Sequence, residues 1–186
     1  MSWDELKSKY HTLTQGESLW FQICFASYFE IECLRNDYHK SIVVESEPME
    51  NVLDPQGHPR NMYILCTKQF KLCFGKTVNY RPVYFDIPDN LIRMLRIVHE
   101  QPMYLMQVNP VNNNWWNYNF KRVLRKYYPN LSQGPANFLR ILKAKYIESL
   151  DIPETEKCIL HNRMLHKYQT AREWYGAESP AADYGA

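Results

Sequence analysis

A run of bulky apolar residues from Leu19 to Leu34 constrains the fold of this chain more than any other feature. The run is sixteen residues long, contains five aromatic side chains and follows the helix-opening residues Gly16-Glu17-Ser18. Apolar residues at almost every position over this length predict a helix that is buried on most of its surface. The run is shorter than the roughly 18 apolar residues that a membrane span needs. We therefore expect a helix at the centre of a globular domain.

The segments after this run predict a sheet and then a series of helices. Short β-branched or aromatic stretches, separated by turn formers, predict a small antiparallel sheet, with a loop at residues 46–60. Asp89 is the expected N-cap of the next helix. The predicted strands are 41–44, 62–66, 70–74 and 81–85, and the later predicted helices are 112–128, 136–149, 153–165 and 168–175. The pattern predicts an α+β fold, mainly helical, with a small antiparallel sheet inserted near residues 40–85.

The chain divides into one expected domain with short ends. Residues 1–16 are interpreted as a lead-in segment, residues 17–176 as the domain and residues 177–186 as a flexible tail. The five cysteines are widely spread and form no Cys-x-x-Cys pair. We interpret them as reduced thiols, mostly in the core, of an intracellular protein in the cytoplasm or nucleus, and we expect no zinc site. No signal-peptide core or membrane-spanning run is present, so we expect no membrane partner.

Charge is distributed unevenly along the chain, although the net charge is only +2. Residues 61–147 carry thirteen basic and three acidic side chains, and the stretch 101–147 has no acid at all. Residues 1–60 and 148–186 both carry an excess of acids. A long stretch of one sign within a folded domain favours a surface that faces a polyanion such as nucleic acid, and a solvated basic face is the alternative.

The chemistry-bearing residues lie in the last third of the chain. Arg140 falls in a predicted helix, and His166 precedes Tyr175 by nine positions. A tyrosine that attacks a DNA phosphodiester needs fixed cations or strong donors where charge develops on phosphorus. Arginine matches two phosphate oxygens with its planar fork, histidine can donate a further hydrogen bond, and a lysine can protonate the leaving oxygen. This order of residues therefore predicts strand transfer through a tyrosine.

These motifs together resemble the catalytic domain of tyrosine recombinases (integrases) over about residues 17–176. In that family a His/Lys-x-x-Arg box is followed by Leu-Gly-His, then Thr, then the nucleophilic tyrosine nine residues after the histidine. Asn137-Phe-Leu-Arg140 is similar to the first box, Met164-Leu-His166 to the second without its glycine, and Thr170 to Tyr175 to the last. Gly75-Lys76 resembles the turn of the family's hairpin, which holds a catalytic lysine.

The resemblance implies roles for named residues, double-stranded DNA as the partner, and a homo-oligomer (a tetramer on DNA). It implies no cofactor and no metal. The catalytic residues would be Tyr175, Arg140, His166, Lys76 and Asn137. The residues expected to bind DNA phosphates are Lys121, Arg122, Arg125, Lys126, Lys143, Arg163 and Lys167.

One departure keeps a second hypothesis open. Alignment on Glu32 and Tyr38 places Phe29 where the family has its first arginine. Loss of one such donor removes about 3–4 kcal/mol of transition-state stabilisation. The alternative is therefore a catalytically impaired DNA-binding protein with an architectural or packaging role, and a protein-interaction domain is a third hypothesis. In the purely structural interpretation, Arg140 forms an ion pair that stabilises the fold, for example with Glu173, and Lys76 is an ordinary turn residue.

Overall fold

The computed structural model describes residues 2–34, 38–73, 82–101 and 113–165, with only the backbone of Asn113. The described part is a mixed α+β structure with six helices and one four-stranded sheet. The elements in chain order are α1 (Trp3–Leu13), α2 (Leu19–Glu30), β1 (Ile42–Val44), β2 (Met62–Ile64), β3 (Gln69–Leu72), β4 (Val83–Asp86), α3 (Asp89–Glu100), α4 (Asn113–Arg125), α5 (Pro135–Ser149) and α6 (Glu154–Arg163). The coarse α+β prediction is confirmed.

Helix α2 is the centre of the core, as its apolar sequence predicts. Ser18 caps its first turn by accepting a hydrogen bond from the Phe21 backbone N–H. Nine of its twelve residues are buried. Phe25 lies in the middle of a group of rings, with centroids 6.0 Å from Phe21 and 5.0 Å from Phe120 of α4. Burial of so much aromatic surface is the main favourable contribution to the stability of such a core.

Helix α1 lies against this core. Ser2 and Glu5 form a reciprocal capping box at its start, which satisfies two backbone N–H groups that the helix cannot. The buried residues Trp3, Leu6, Tyr10 and Leu13 recur at helical spacing along one face. That face contacts α2 and α5. The segment interpreted as a lead-in therefore contains a helix that contributes to the core.

The sheet is mixed, so the prediction of an antiparallel sheet is wrong for one pair of strands. The strand order is β1-β2-β3-β4, and the β2–β3 and β3–β4 pairs are antiparallel. Strand β1 runs parallel to β2, with Ile42 opposite Met62. Parallel neighbours need a connection of a dozen or more residues, and the segment between Val44 and Met62 is long enough to provide one. Strand direction is thus set by this crossover rather than by the composition of either strand.

Helix boundaries follow the predictions with local corrections. Asp89 is the first residue of α3 rather than its N-cap, because Pro88 occupies the cap and the Asp89 carboxylate accepts a hydrogen bond from Lys68 at 2.8 Å. The predicted helix at 168–175 and the tail at 177–186 lie outside the described residues. Within the described ranges, every helix is too short or too polar to cross a lipid bilayer.

The cysteines correct one further expectation. All five are free thiols, but only Cys24 and Cys33 are buried. Cys66 is exposed, and Cys73 and Cys158 are half-buried. The prediction that most of them belong to the core is therefore wrong, because Cys66 follows β2 in a surface turn and Cys158 lies on the outer part of α6.

Candidate functional site

Arg140 joins three parts of the chain at the end of the helical layer. Its side chain projects from α5 and is 2% exposed. Its Nη1 donates to the backbone carbonyls of Cys33 and Met164, both at 3.1 Å. The guanidinium therefore ties the exit of α2 to the end of α6. These two bonds hold the guanidinium in one orientation.

A buried carboxylate lies next to this arginine. Glu32 is 3% exposed, and its Oε1 accepts hydrogen bonds from the Cys33 backbone N–H at 2.9 Å and from the Lys143 ammonium group. Arg163 forms an ion pair with the other oxygen, with Nε 3.6 Å from Oε2. Burial of a carboxylate is costly unless opposite charges and donors surround it. Glu32 meets this requirement through residues of both α5 and α6.

We call Arg140, Lys143, Arg163 and Glu32 the Glu32 cluster. It contains three basic side chains and one carboxylate, and that carboxylate pairs directly with Lys143 and Arg163. Lys143 is 18% exposed and Arg163 is 62% exposed at the side chain, so the cluster extends from the core to the surface.

The backbone around Glu32 is fixed by Tyr38. The Tyr38 hydroxyl donates to the Glu32 carbonyl at 2.6 Å and accepts from the Glu32 N–H at 3.2 Å. Burial raises the pKa of the Tyr38 hydroxyl well above its usual range. Burial also raises the pKa of the Cys33 thiol to about 12, although Lys143 and Arg140 favour the thiolate. Cys33 is therefore a neutral thiol in the cluster and is unsuited to act as a nucleophile.

Phe29, the position that the resemblance assigns to an arginine, belongs to an aromatic group. Its ring centroid lies 5.1 Å from Trp3, 5.2 Å from Tyr10 and 5.5 Å from Phe25. The Lys143 ammonium group lies 5.8 Å from the centre of the Trp3 ring. A cation from α5 thus contacts the same aromatic group that holds Phe29 in place.

The backbone at the end of α6 takes an unusual conformation one residue before His166. Leu165 has a φ of +54°, a region that favours glycine, and its N–H donates to the Asn162 carbonyl at 2.9 Å. The resembling family carries glycine at this position. The preceding residue, Met164, supplies the carbonyl that Arg140 binds. The described chain therefore turns sharply at Arg140, where the segment containing His166 begins.

Several of the predicted site residues lie outside the described residues, namely His166, Tyr175, Lys76 and Lys167. Asn137 is exposed on α5, one turn before Arg140. The alternative partner suggested for Arg140, Glu173, is also outside the described residues. The structure thus brings together Arg140, Lys143 and Arg163 of the predicted set.

The basic residues of α4 occupy a separate surface and are engaged in a different way. Arg122 forms an ion pair with Glu17, in which the single nitrogen Nη2 donates to both carboxylate oxygens at 2.7 and 2.8 Å. Lys121 donates to the Ser132 carbonyl at 2.9 Å and Arg125 to the Leu131 carbonyl at 3.3 Å. Lys126 donates to the Leu13 carbonyl at 3.3 Å. Arg122 is therefore the one of these four whose charge is offset by a carboxylate among the described contacts.

Sequence reasoning missed the role of Glu32 and the grouping of cations around it. The sequence signal that could have identified Glu32 was its place inside a strongly apolar run, because a buried acid requires a cationic partner. The partner itself is distant in sequence, and only the packing of α5 against the end of α2 identifies it. Within the described residues, no three His, Cys, Asp or Glu side chains gather as a metal site would require.

Comparisons with known proteins assign the chain to no family. No family model, curated protein or solved structure matches the chain.

Proposed function

We propose that this chain cuts and rejoins double-stranded DNA through a covalent phosphotyrosyl intermediate at Tyr175. The Tyr175 oxygen attacks the phosphorus and its proton passes to water. The bond to the 5′-oxygen breaks, and Lys76 gives that oxygen a proton. Arg140 and His166 bind the non-bridging oxygens on which charge develops. The reverse attack by a 5′-hydroxyl rejoins the strand, because the phosphotyrosyl bond conserves the energy of the broken one.

The observation that carries this proposal is the contact between Arg140 and the turn before His166. Arg140 lies 24 residues before Met164, yet it binds the Met164 carbonyl at 3.1 Å. The left-handed backbone at Leu165 supports the resemblance further, since a family glycine at that position has a physical reason. Arginine and histidine can act on one phosphate only if the fold brings their segments together, and the contact with Met164, two residues before His166, supports such an arrangement.

The state of Arg140 suits phosphate binding. Its guanidinium is removed from water and held in one orientation by two carbonyl oxygens. A positive charge in a low-dielectric setting interacts more strongly with a phosphate than one in water does. A cation fixed before the substrate arrives also avoids the cost of reorganisation during the reaction.

A second candidate function is DNA binding without cleavage. It is favoured by Phe29, because that side chain is buried among Trp3, Tyr10 and Phe25 and offers no donor to a phosphate. An exposed asparagine at position 137, where the resembling family has histidine or lysine, favours the same candidate.

Trapping of the covalent intermediate separates these two candidates. Nicked duplexes of mixed sequence release a short fragment after cleavage and so leave the protein attached to DNA. We expect an adduct with the wild-type chain and with Tyr168→Phe, a matched control in the same segment, and no adduct with Tyr175→Phe. The measurement is a denaturing gel with labelled DNA.

The other outcomes assign the function differently. Salt-sensitive DNA binding that survives Tyr175→Phe, without an adduct from any variant, would establish the second candidate. An adduct that persists in Tyr175→Phe would refute the role of Tyr175. If the wild-type chain fails to bind duplex DNA at low salt, both candidates are excluded.

A further inference from the structure

The face of α4 that points away from the core carries an exposed tyrosine. Tyr118 is 70% exposed, which makes it the most exposed aromatic side chain of the described residues. Each buried residue of the same helix lies about 120–160° around it from position 118, namely Trp116, Phe120, Val123 and Leu124. Tyr118 therefore lies outside the hydrophobic core, unlike its aromatic neighbours in the sequence.

Basic side chains accompany Tyr118 on this outer face. Positions 121, 122 and 125 lie within about 60° of position 118 around the helix axis, because they follow it by three, four and seven residues. These positions form one stripe about 10 Å long. We call it the Tyr118 stripe, and its members are Tyr118, Lys121, Arg122 and Arg125. The stripe thus combines one exposed aromatic ring with three cations.

Contacts with the rest of the fold hold the three cations in position. Lys121 and Arg125 each donate to a backbone carbonyl of the loop that follows α4. Arg122 donates to the Glu17 carboxylate. An ammonium group has three N–H donors and a guanidinium group has five, so donors remain for a further acceptor. Side chains that are held before a ligand arrives lose less conformational entropy when they bind it.

An exposed aromatic ring beside cations matches the chemistry of an unpaired nucleic acid strand. Bases in a duplex stack on one another, whereas an unpaired base has a free π-face on which a tyrosine ring can stack. Cations next to the ring then bind the phosphates of the same strand. The core of a protein–protein interface is depleted of charged residues, whereas the neighbours of Tyr118 in this stripe are basic. The stripe therefore favours a nucleic acid strand over a protein partner.

We propose that the Tyr118 stripe binds an unpaired segment of DNA. Tyr118 stacks on an exposed base, and the three cations of the stripe bind the adjoining phosphates. This inference deepens the proposed function and rests on DNA being the ligand, which both candidate functions share. It specifies the DNA structure that the site recognises, namely a gap, a frayed end or a displaced strand rather than an intact duplex.

The first test compares Tyr118→Ala with Tyr84→Ala. Tyr84 is 41% exposed on β4 and is the matched control. The probes are a short labelled DNA strand of mixed sequence and the duplex that it forms with its complement, and fluorescence anisotropy gives the affinity for each. We expect Tyr118→Ala to weaken single-strand binding about 10-fold, the effect of losing one base–aromatic stack, and to leave duplex binding unchanged. Tyr84→Ala should change neither affinity.

Further substitutions at position 118 identify the interaction. Tyr118→Phe and Tyr118→Trp keep an aromatic face and should retain the wild-type affinity for the single strand. Tyr118→Leu keeps an apolar side chain without a π-face and should bind as weakly as Tyr118→Ala. Thermal unfolding of each variant verifies that the fold is intact, as expected for an exposed position. Equal single-strand affinity of Tyr118→Leu and Tyr118→Phe overturns the stacking proposal.

Salt dependence separates the ring from the cations. Tyr118→Ala should leave the slope of log affinity against log salt unchanged, because it removes no charge. Arg125→Gln should reduce that slope by about 0.7 for the single strand, because one phosphate contact is lost. A reduced slope with Tyr118→Ala, or a loss of duplex affinity as large as the loss of single-strand affinity, overturns the proposal.

Adduct yield on the nicked duplexes separates this inference from the proposed function. If Tyr118→Ala weakens single-strand binding but the wild-type chain forms no adduct, the stripe binds unpaired DNA and the cleavage proposal fails. If the wild-type chain forms adducts and Tyr118→Ala binds the single strand as tightly as the wild type, the inference is overturned and the cleavage proposal stands. If the wild-type chain binds neither probe at low salt, both fail.

Discussion

The Glu32 cluster and the basic helix α4 draw their cations largely from the same acid-free stretch of sequence, but they hold them differently. In the cluster, cations from α5 and α6 surround a carboxylate that is 3% exposed. On α4, the cations lie near the surface, and three of the four donate to backbone carbonyls while Arg122 pairs with Glu17. The same local charge density thus yields cations grouped around a buried carboxylate in one place and cations spread over an exterior surface in the other.

This difference shows that a count of charges along a chain does not predict which charged side chains can bind a ligand. An ion pair at the surface is worth little and exchanges readily with solvent or a new partner. A buried pair is costly to break, because the remaining charge has no water to stabilise it. The two regions should therefore respond differently to removal of their acids.

The largest expected effect comes from removing each carboxylate. Glu32→Ala should lower the free energy of unfolding by about 3–5 kcal/mol, because it removes the buried carboxylate with which half-buried Lys143 pairs. Glu17→Ala, which releases Arg122 at the surface, should lower it by about 1 kcal/mol or less. Urea unfolding monitored by tryptophan fluorescence measures both. Equal losses would contradict the distinction between the two regions.

A smaller effect concerns DNA affinity on the surface of α4. Lys121→Gln should lower the slope of log affinity against log salt by about one, because its carbonyl partner leaves the charge available to phosphate. Arg122→Gln should change the slope less, since Glu17 already offsets its charge. Glu17→Gln should raise the affinity. A loss for Arg122→Gln as large as that for Lys121→Gln would show that the Glu17 pair opens on DNA.

The last effect appears only at alkaline pH and is the pH dependence that Cys33 contributes. Its pKa of about 12 lies above the usual value of 9.0, because burial favours the neutral thiol. The unfolded chain loses this proton first, so the contribution to stability is complete below pH 9.0 and is lost as the pH rises toward 12. Cys33→Ala should flatten the alkaline decline of stability by at most about 1.4 kcal/mol per pH unit.

Exposed Cys66 provides the control for that measurement. Cys66→Ala should leave the alkaline decline unchanged, because this cysteine is exposed and does not belong to the core. Denaturant unfolding at a series of alkaline pH values compares the two variants. A flattening by Cys66→Ala, or none by Cys33→Ala, would contradict the burial of Cys33 beside the cluster.

Local sequence patterns predicted the helices and strands because those elements depend on periodicity and burial. The apolar run from Leu19 predicted α2, and β-branched stretches located strands β1 to β4 to within about two residues. The direction of β1 was beyond such reasoning, because a strand has the same alternation whichever way it runs. The error at Asp89 has a similar origin, since its partner Lys68 lies in a distant turn.

The candidate site was predictable only as a set of residue types. Motif spacing singled out Arg140 and the basic stretch singled out Lys143, whereas Arg163 was expected to bind DNA although it lies outside that stretch. The positions of these side chains depend on the carbonyl and carboxylate groups that they contact. Those partners lie more than twenty residues away in the sequence. No sequence pattern predicts a contact with a backbone carbonyl, so only the structure identifies the hydrogen bond from Arg140 to the Met164 carbonyl. The roles of Tyr175 and His166 stay predictions.

The position of Trp3 gives the first helix a further consequence. Its ring packs on Phe29 on one side and lies 5.8 Å from the Lys143 ammonium group. The indole therefore contacts both side chains, and its displacement would remove the ring that Phe29 packs against and that the Lys143 ammonium group faces. A bulky tag or a docked partner that shifts α1 would therefore change the position of the Lys143 ammonium group in the Glu32 cluster.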